Sequence, residues 1–162
     1  REYEQARAHY QHALAICIEF YDRYDQADTY HNLGAVAEAL REYEQARSHY
    51  QQALAILIEF NDRYSQARTY GQLGLLEETQ ENYSQAHDFL RQALAIFAEF
   101  NDQHSVEMTV KNLARIYRAN PNHEIVQQVA TVLNEPVDAV QQRFATLNAA
   151  SADEPDDPPA EA

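Results

Sequence analysis

Apolar residues recur along this chain at helical spacing. Ala27, Tyr30, Leu33, Gly34 and Ala37 are offset by three, three, one and three positions, which puts them on one face of a helix. Tyr43, Ala46, Tyr50, Ala53, Leu54 and Leu57 form a second such face. Between the two lies Leu40-Arg41-Glu42, a connection that suits only a tight antiparallel turn. The pattern predicts a helical hairpin, with its second helix running to about Phe60 and a linker at Asn61-Asp62-Arg63-Tyr64. Asn and Asp compete there for backbone hydrogen bonds, and Ser65 is expected to cap the next helix.

The hairpin repeats. Arg1–Tyr10 (REYEQARAHY) returns as Arg41–Tyr50 (REYEQARSHY), and Gln11–Phe20 returns as Gln51–Phe60 and, with changes, as Arg91–Phe100. A fixed period of 40 residues predicts a stacked array in which no unit buries its apolar face alone. The chain opens in the phase of Arg41, so a longer parent protein is expected. No proline precedes Pro121, in keeping with an all-α fold, since proline costs about 3 kcal/mol inside a helix.

The pattern changes after Asn120-Pro121-Asn122. His123–Leu133 reads as a short amphipathic helix, and Pro136 opens another with Val137, Val140, Phe144 and Leu147 on one face. The expected organisation is a repeat array over 1–120, a capping hairpin over 121–148 and a disordered acidic tail over 149–162, which contains only Ala, Asp, Glu, Pro and Ser.

These positions resemble the tetratricopeptide repeat. Tyr30, Leu33 and Gly34, then Ala46, Tyr50 and Ala53, stand where that family sets its signature; Tyr70, Leu73, Gly74, Ala86, Leu90 and Ala93 repeat it. Val110, Leu113, Ala114 and Tyr117 give a third first helix, and Ala6, Tyr10 and Ala13 an opening second helix. The long period is similar to the variety found in kinesin light chains, Pins-type polarity adaptors and bacterial signalling ATPases of the STAND class. Ala37 and Glu77 depart from it, where the family prefers Tyr. The resemblance implies a right-handed solenoid of antiparallel hairpins. Its concave groove would be lined by Asp28, His31, Asn32, Ala35 and Glu38, by Arg68, Gly71, Gln72, Leu75 and Glu78, and by Met108, Lys111, Asn112 and Arg115. Asn32, Gln72 and Asn112 share one repeat position, and a ladder of amides can hydrogen-bond a peptide backbone. Chaperone-type repeats clamp a terminal carboxylate with Lys and Asn where this chain has His31, Gly71 and Ala35, so that ligand is not expected.

Charge narrows the partner. The net charge is −14 with one Lys, which disfavours nucleic acid. Glu124–Leu147 has the cadence of a helix-turn-helix, but its second helix carries Asp138 and only Arg143, so a cap is expected rather than a DNA reader. Lys111, Arg115 and Arg118 form one basic stripe. Either they favour the negative end of their helix, or they receive an acidic ligand such as the tail Asp153–Asp157.

No chemistry of its own is expected. His9 and His12 are an i, i+3 pair, but Gln52 replaces the second in the next repeat, and no metal-ligand spacing appears. Glu38, Glu77 and Glu78 come with no nucleophile or phosphate loop, so no cofactor is expected. Cys17 stands where later repeats have Leu57 and Phe97 and is expected to be a small buried hydrophobe. One lone thiol fits a reducing cytoplasm. No apolar run approaches a membrane span. The expected function is a protein-interaction scaffold that binds a peptide or helix. The alternative is the sensor or spacer arm of a bacterial STAND ATPase or caspase-like protein; a phosphate-binding loop ahead of Arg1 would mark that arm.

Overall fold

The computed structural model describes residues 1–150, and all of the regular structure within them is helical. The helices are α1 (Glu2–Glu19), α2 (Arg23–Ala39), α3 (Tyr43–Glu59), α4 (Arg63–Thr79), α5 (Tyr83–Glu99), α6 (Gln103–Ala119), α7 (His123–Leu133) and α8 (Val137–Ala150). None is long and apolar enough to cross a membrane. Helices α2 and α3 pair closely, as do α4 and α5, and each pair leans on the next.

Five turns of one shape join the first six helices. The residue after each C-cap is left-handed: Tyr21, Arg41, Asn61, Glu81 and Asn101 have φ of 58°, 61°, 54°, 60° and 55°. The N–H of the next residue then reaches back over the turn. Asp22 bonds the Cys17 carbonyl at 2.8 Å, Glu42 that of Ala37 at 2.8 Å, and Asp62 that of Leu57 at 2.9 Å. This is the Schellman closure, which satisfies carbonyls that a helix end leaves open. None of these residues is glycine.

Within the repeats, side-chain caps occur only where a first helix begins; beyond them Asn122 caps α7 by accepting the Glu124 N–H at 3.0 Å. Asp22, Asp62 and Asp102 accept the backbone N–H of Asp25, Ser65 and Ser105 at 3.1, 3.0 and 3.1 Å. The cap of α4 is therefore Asp62, not Ser65. The turn is three residues long, so α4 already includes Arg63 and Tyr64, and Ser65 supplies the capped N–H.

The core lies where hairpins interlock. Ala46, Ala53, Ala86, Ala93 and Ala114 are fully buried. Gly34 and Gly74 allow the closest approaches: a Cβ on Gly34 would lie 2.6 Å from the Tyr50 ring, and one on Gly74 2.6 Å from Leu90 Cγ. Cys17 is only half-buried, unlike Leu57 and Phe97. Leu57 is covered by Ala27 of α2, whereas α1 has no preceding helix among the described residues.

At the other end, α7 lies against α5 and α8 against α6. Ile125, Val126, Val129, Val140 and Phe144 join the core of the third hairpin region, with the Phe144 ring 5.6 Å from that of Tyr117. Asn148 donates to the Ala114 carbonyl at 3.0 Å. Helix α8 continues through Ala150, so the first two residues of the expected tail are helical. The remainder, 151–162, lies outside the described residues.

Candidate functional site

Helices α2, α4 and α6 share one face because each begins after the same turn and carries the same internal contacts. Thr29, Thr69 and Thr109 bond back to the carbonyls of Asp25, Ser65 and Ser105, so the three helices enter the array in the same phase. Their common face opens into adjoining clefts. The first, of about 510 Å³, lies between α2 and α4 and includes His31, Asn32, Ala35, Glu38, Arg68 and Gln72. A second, of about 270 Å³, runs from His31 and Gln72 across Leu75 to Met108 and Asn112. Glu78 and Arg115 line a third. Met108, Lys111, Asn112 and Arg115 meet the end of α8, at Leu147, Asn148 and Ala150, in a fourth of about 350 Å³.

The face expected from the sequence is thus brought together, apart from Asp28, which is exposed and lines none of these clefts. Asn32, Gln72 and Asn112 are all half-buried. Among the described residues none of their side-chain amides has a hydrogen-bond partner.

The charged members of the face are not equally free. Arg115 grips Glu78 with two nitrogens, and that carboxylate pushes the guanidinium pKa up. Glu38 is half-buried, which raises its pKa, and it accepts the Tyr50 hydroxyl at 2.9 Å. Burial raises the Tyr50 phenol well above its ordinary value, so this hydroxyl stays a donor. His31 shares a 3.1 Å hydrogen bond with Thr69, and its ring packs edge-on to that of Tyr50. Burial, then the positive charge of Arg68, lower the His31 pKa, so the imidazole is neutral at neutral pH. Nothing here pairs a nucleophile with a base.

Several cleft residues were not anticipated as groove members. Arg41 enters from the α2–α3 turn, Tyr43 from the start of α3, Thr79 from the end of α4, Arg118 from the end of α6, and Leu147 and Asn148 from α8. A rule restricted to first-helix faces omits turn residues. The short turn at Leu40-Arg41-Glu42, legible in the sequence, was the signal that could have found one of them.

The comparisons with known proteins agree with the fold of repeated helical hairpins. No curated protein matches the chain. The crystal structure of BtubC (BKLC) from P. vanneervenii is similar in fold, with a TM-score of 0.72 at 22% identity over 99% of this chain. The match spans 62% of that protein's length. The family model for the tetratricopeptide repeat matches residues 1–59 and 25–99, and the chain belongs to that family.

Proposed function

We propose that this chain is a protein-interaction scaffold whose α2–α4–α6 face holds an extended peptide or a helix of a partner protein. The observation that carries this reading is the amide ladder. Asn32, Gln72 and Asn112 recur at one repeat position, line adjoining clefts and have no partner among the described residues. Each can donate to and accept from a peptide backbone. Ala35 and Leu75 add small apolar patches beside them. The role is binding rather than catalysis. The reducing cytoplasm suits the lone thiol, and the same face would serve in an adaptor or in the sensor arm of a bacterial signalling protein. Helices α7 and α8 would act as a cap over the last repeat.

Asn32→Ala/Gln72→Ala/Asn112→Ala tests the reading. Each lost hydrogen bond should weaken binding by about 0.5–1.5 kcal/mol. A partner recovered with the parent chain should be lost by a variant that melts like the parent; retention at full affinity rejects the groove.

A specific observation favours a second occupant, the chain's own acidic segment. Ala150, the last described residue, lines a cleft together with Lys111 and Asn112, and Asp153, Glu154, Asp156 and Asp157 follow it directly. A contact made through those charges should fade as salt rises. Spectra of the Lys111 region that are identical with and without 151–162, at low and high salt, would remove the tail from the mechanism.

A further inference from the structure

The chain carries a large negative excess, −14, yet its uncommitted positive charges are not scattered. Arg7, Arg23, Arg47, Arg63, Arg115 and Arg143 each form an ion pair with a carboxylate. Arg41, Arg68, Lys111 and Arg118 form none among the described residues, and all four line the clefts of the α2–α4–α6 face. Arg1 and Arg91, which line none of these clefts, are the only other Lys or Arg side chains without an ion pair among the described residues. We propose that this face selects an acidic peptide, and that Arg41 and Arg68, both lining the α2–α4 cleft, receive its carboxylates beside the free amides of Asn32 and Gln72. The proposal rests on the groove reading above and adds the class of ligand.

Three features of the structure make the selection physical. First, unpaired guanidinium groups keep all their donors for a ligand, and the planar fork matches a carboxylate bidentately. Second, two of the three carboxylates that line these clefts are occupied, Glu81 beside Arg118 being the open one. Glu78 is neutralised by Arg115, and Glu38 already accepts a hydroxyl from the buried Tyr50. Third, the turn fixes Arg41. Its left-handed backbone, φ 61°, is held by the N–H of Arg41 on the Glu38 carbonyl at 2.8 Å and the N–H of Glu42 on Ala37 at 2.8 Å. A side chain on such a closed turn starts from one backbone position rather than from a floppy loop. With His31 and Gln72 shared between the first two clefts, a ligand lying along the face meets Arg41 and Arg68 at one end and Lys111 at the other.

The test uses the full chain uniformly labelled with nitrogen-15, so that arginine, asparagine and glutamine side chains are all read, and the terminally blocked hexapeptides of glutamate, glutamine and lysine as probes. Hexaglutamate should move the side-chain signals of Arg41 and Arg68 well ahead of those of Arg1 and Arg91, while hexalysine moves none of them. Arg41→Gln/Arg68→Gln should bind hexaglutamate about fivefold more weakly, the loss of two partly exposed ion pairs, with an unchanged melting curve. If hexaglutamine moves Asn32, Gln72 and Asn112 as strongly as hexaglutamate does, the groove stands and its acidic selectivity falls. If Arg1 and Arg91 respond as strongly as the cleft arginines, the charges act without a site and the proposal is overturned. If no peptide moves any cleft signal, the groove reading falls with it.

Discussion

Arg47 on α3 lays its guanidinium across the carboxylate of Glu77 on α4, with Nε to Oε1 at 2.6 Å and Nη2 to Oε2 at 2.9 Å. Glu77 is 1% exposed, and Asn82 donates to its Oε2 at 2.8 Å. A buried carboxylate is costly unless its lone pairs are filled, and here a fork and an amide fill them across the joint between two hairpins. Glu77→Ala should therefore cost about 3 kcal/mol, because it strands Arg47 and Asn82. Replacing the pair together, as Arg47→Met with Glu77→Leu, should bring stability back to within about 1 kcal/mol of the parent. Urea denaturation of the three proteins checks this. Equal losses in the single and double variants would mean that the joint depends on packing and not on the pair.

The three glycines make a sharper contrast. All are helical, and none occupies a left-handed turn. Ala at Gly34 or Gly74 would strike the Tyr50 ring or Leu90, whereas Ala at Gly71 meets nothing within 4 Å. Gly34→Ala and Gly74→Ala should lose about 1–2 kcal/mol net, overpacking outweighing the gain in helix propensity. Gly71→Ala should gain about 0.5–1 kcal/mol. Ala46→Leu belongs with the first two, since Ala46 is fully buried, and should cost about 1–3 kcal/mol. Thermal melts that rank Gly71→Ala with Gly74→Ala would contradict the packing described.

How much of this was legible beforehand follows from which interactions repeat. The hairpins, the turn at Leu40-Arg41-Glu42 and the small residues at the joints come from a pattern repeated in phase, so the fold could be read directly. The Arg47–Glu77 pair could not. Its equivalents differ: Arg7 reaches Glu42 in the turn instead, and position 37 is Ala. Glu77 was visible as a departure from the family's Tyr, but spacing does not reveal which arginine would bury it. A linker carried through Tyr64, two residues into α4, places the cap at Ser65, although Asp is an equally good cap. The face of the candidate site followed from helix phase. The ion pair that ties up Arg115, and the freedom of Arg41, depend on contacts between repeats and needed coordinates.

The aspartate caps should differ among themselves. Asp62 and Asp102 each accept a tyrosine hydroxyl from the preceding repeat, Tyr24 at 2.6 Å and Tyr64 at 2.7 Å, in addition to their capped N–H. Asp22 caps α2 and takes no tyrosine among the described residues. Asp22→Ala should cost about 1 kcal/mol, the usual loss of a cap. Asp62→Ala should cost more, by about 0.5–1 kcal/mol for the lost hydroxyl bond. In a Tyr24→Phe background the Asp62→Ala penalty should shrink towards that of Asp22→Ala. A double-mutant cycle that shows no coupling between Tyr24 and Asp62 would leave the inter-repeat bond without energetic weight.

Mild acid should loosen the array through its inward-facing histidines. Burial lowers the pKa values of His31, His49 and His87, and His87 is a buried side chain whose Nε2 has no partner. The unfolded chain therefore takes up protons near the ordinary histidine pKa, about 6.5, while the folded chain resists. In that window the unfolded state binds more protons, so stability rises with pH. The contribution is present above the ordinary value and lost as pH falls through the depressed folded values. Glu38 acts in the opposite sense. Its raised pKa means that the folded state takes up a proton more readily, which offsets part of the loss as pH drops towards the carboxylate range. Asp62 and Asp102 do not interfere, since Asp62 is held below its usual value and Asp102 is held down to about 2 by its bonds to Ser105 and Tyr64. The melting temperature should accordingly fall between pH 7.5 and 5.5. His31→Gln/His49→Gln/His87→Gln, whatever its absolute stability, should show a much flatter profile over the same interval. A parent and a triple variant with parallel profiles would place the acid sensitivity elsewhere, on groups other than these three rings.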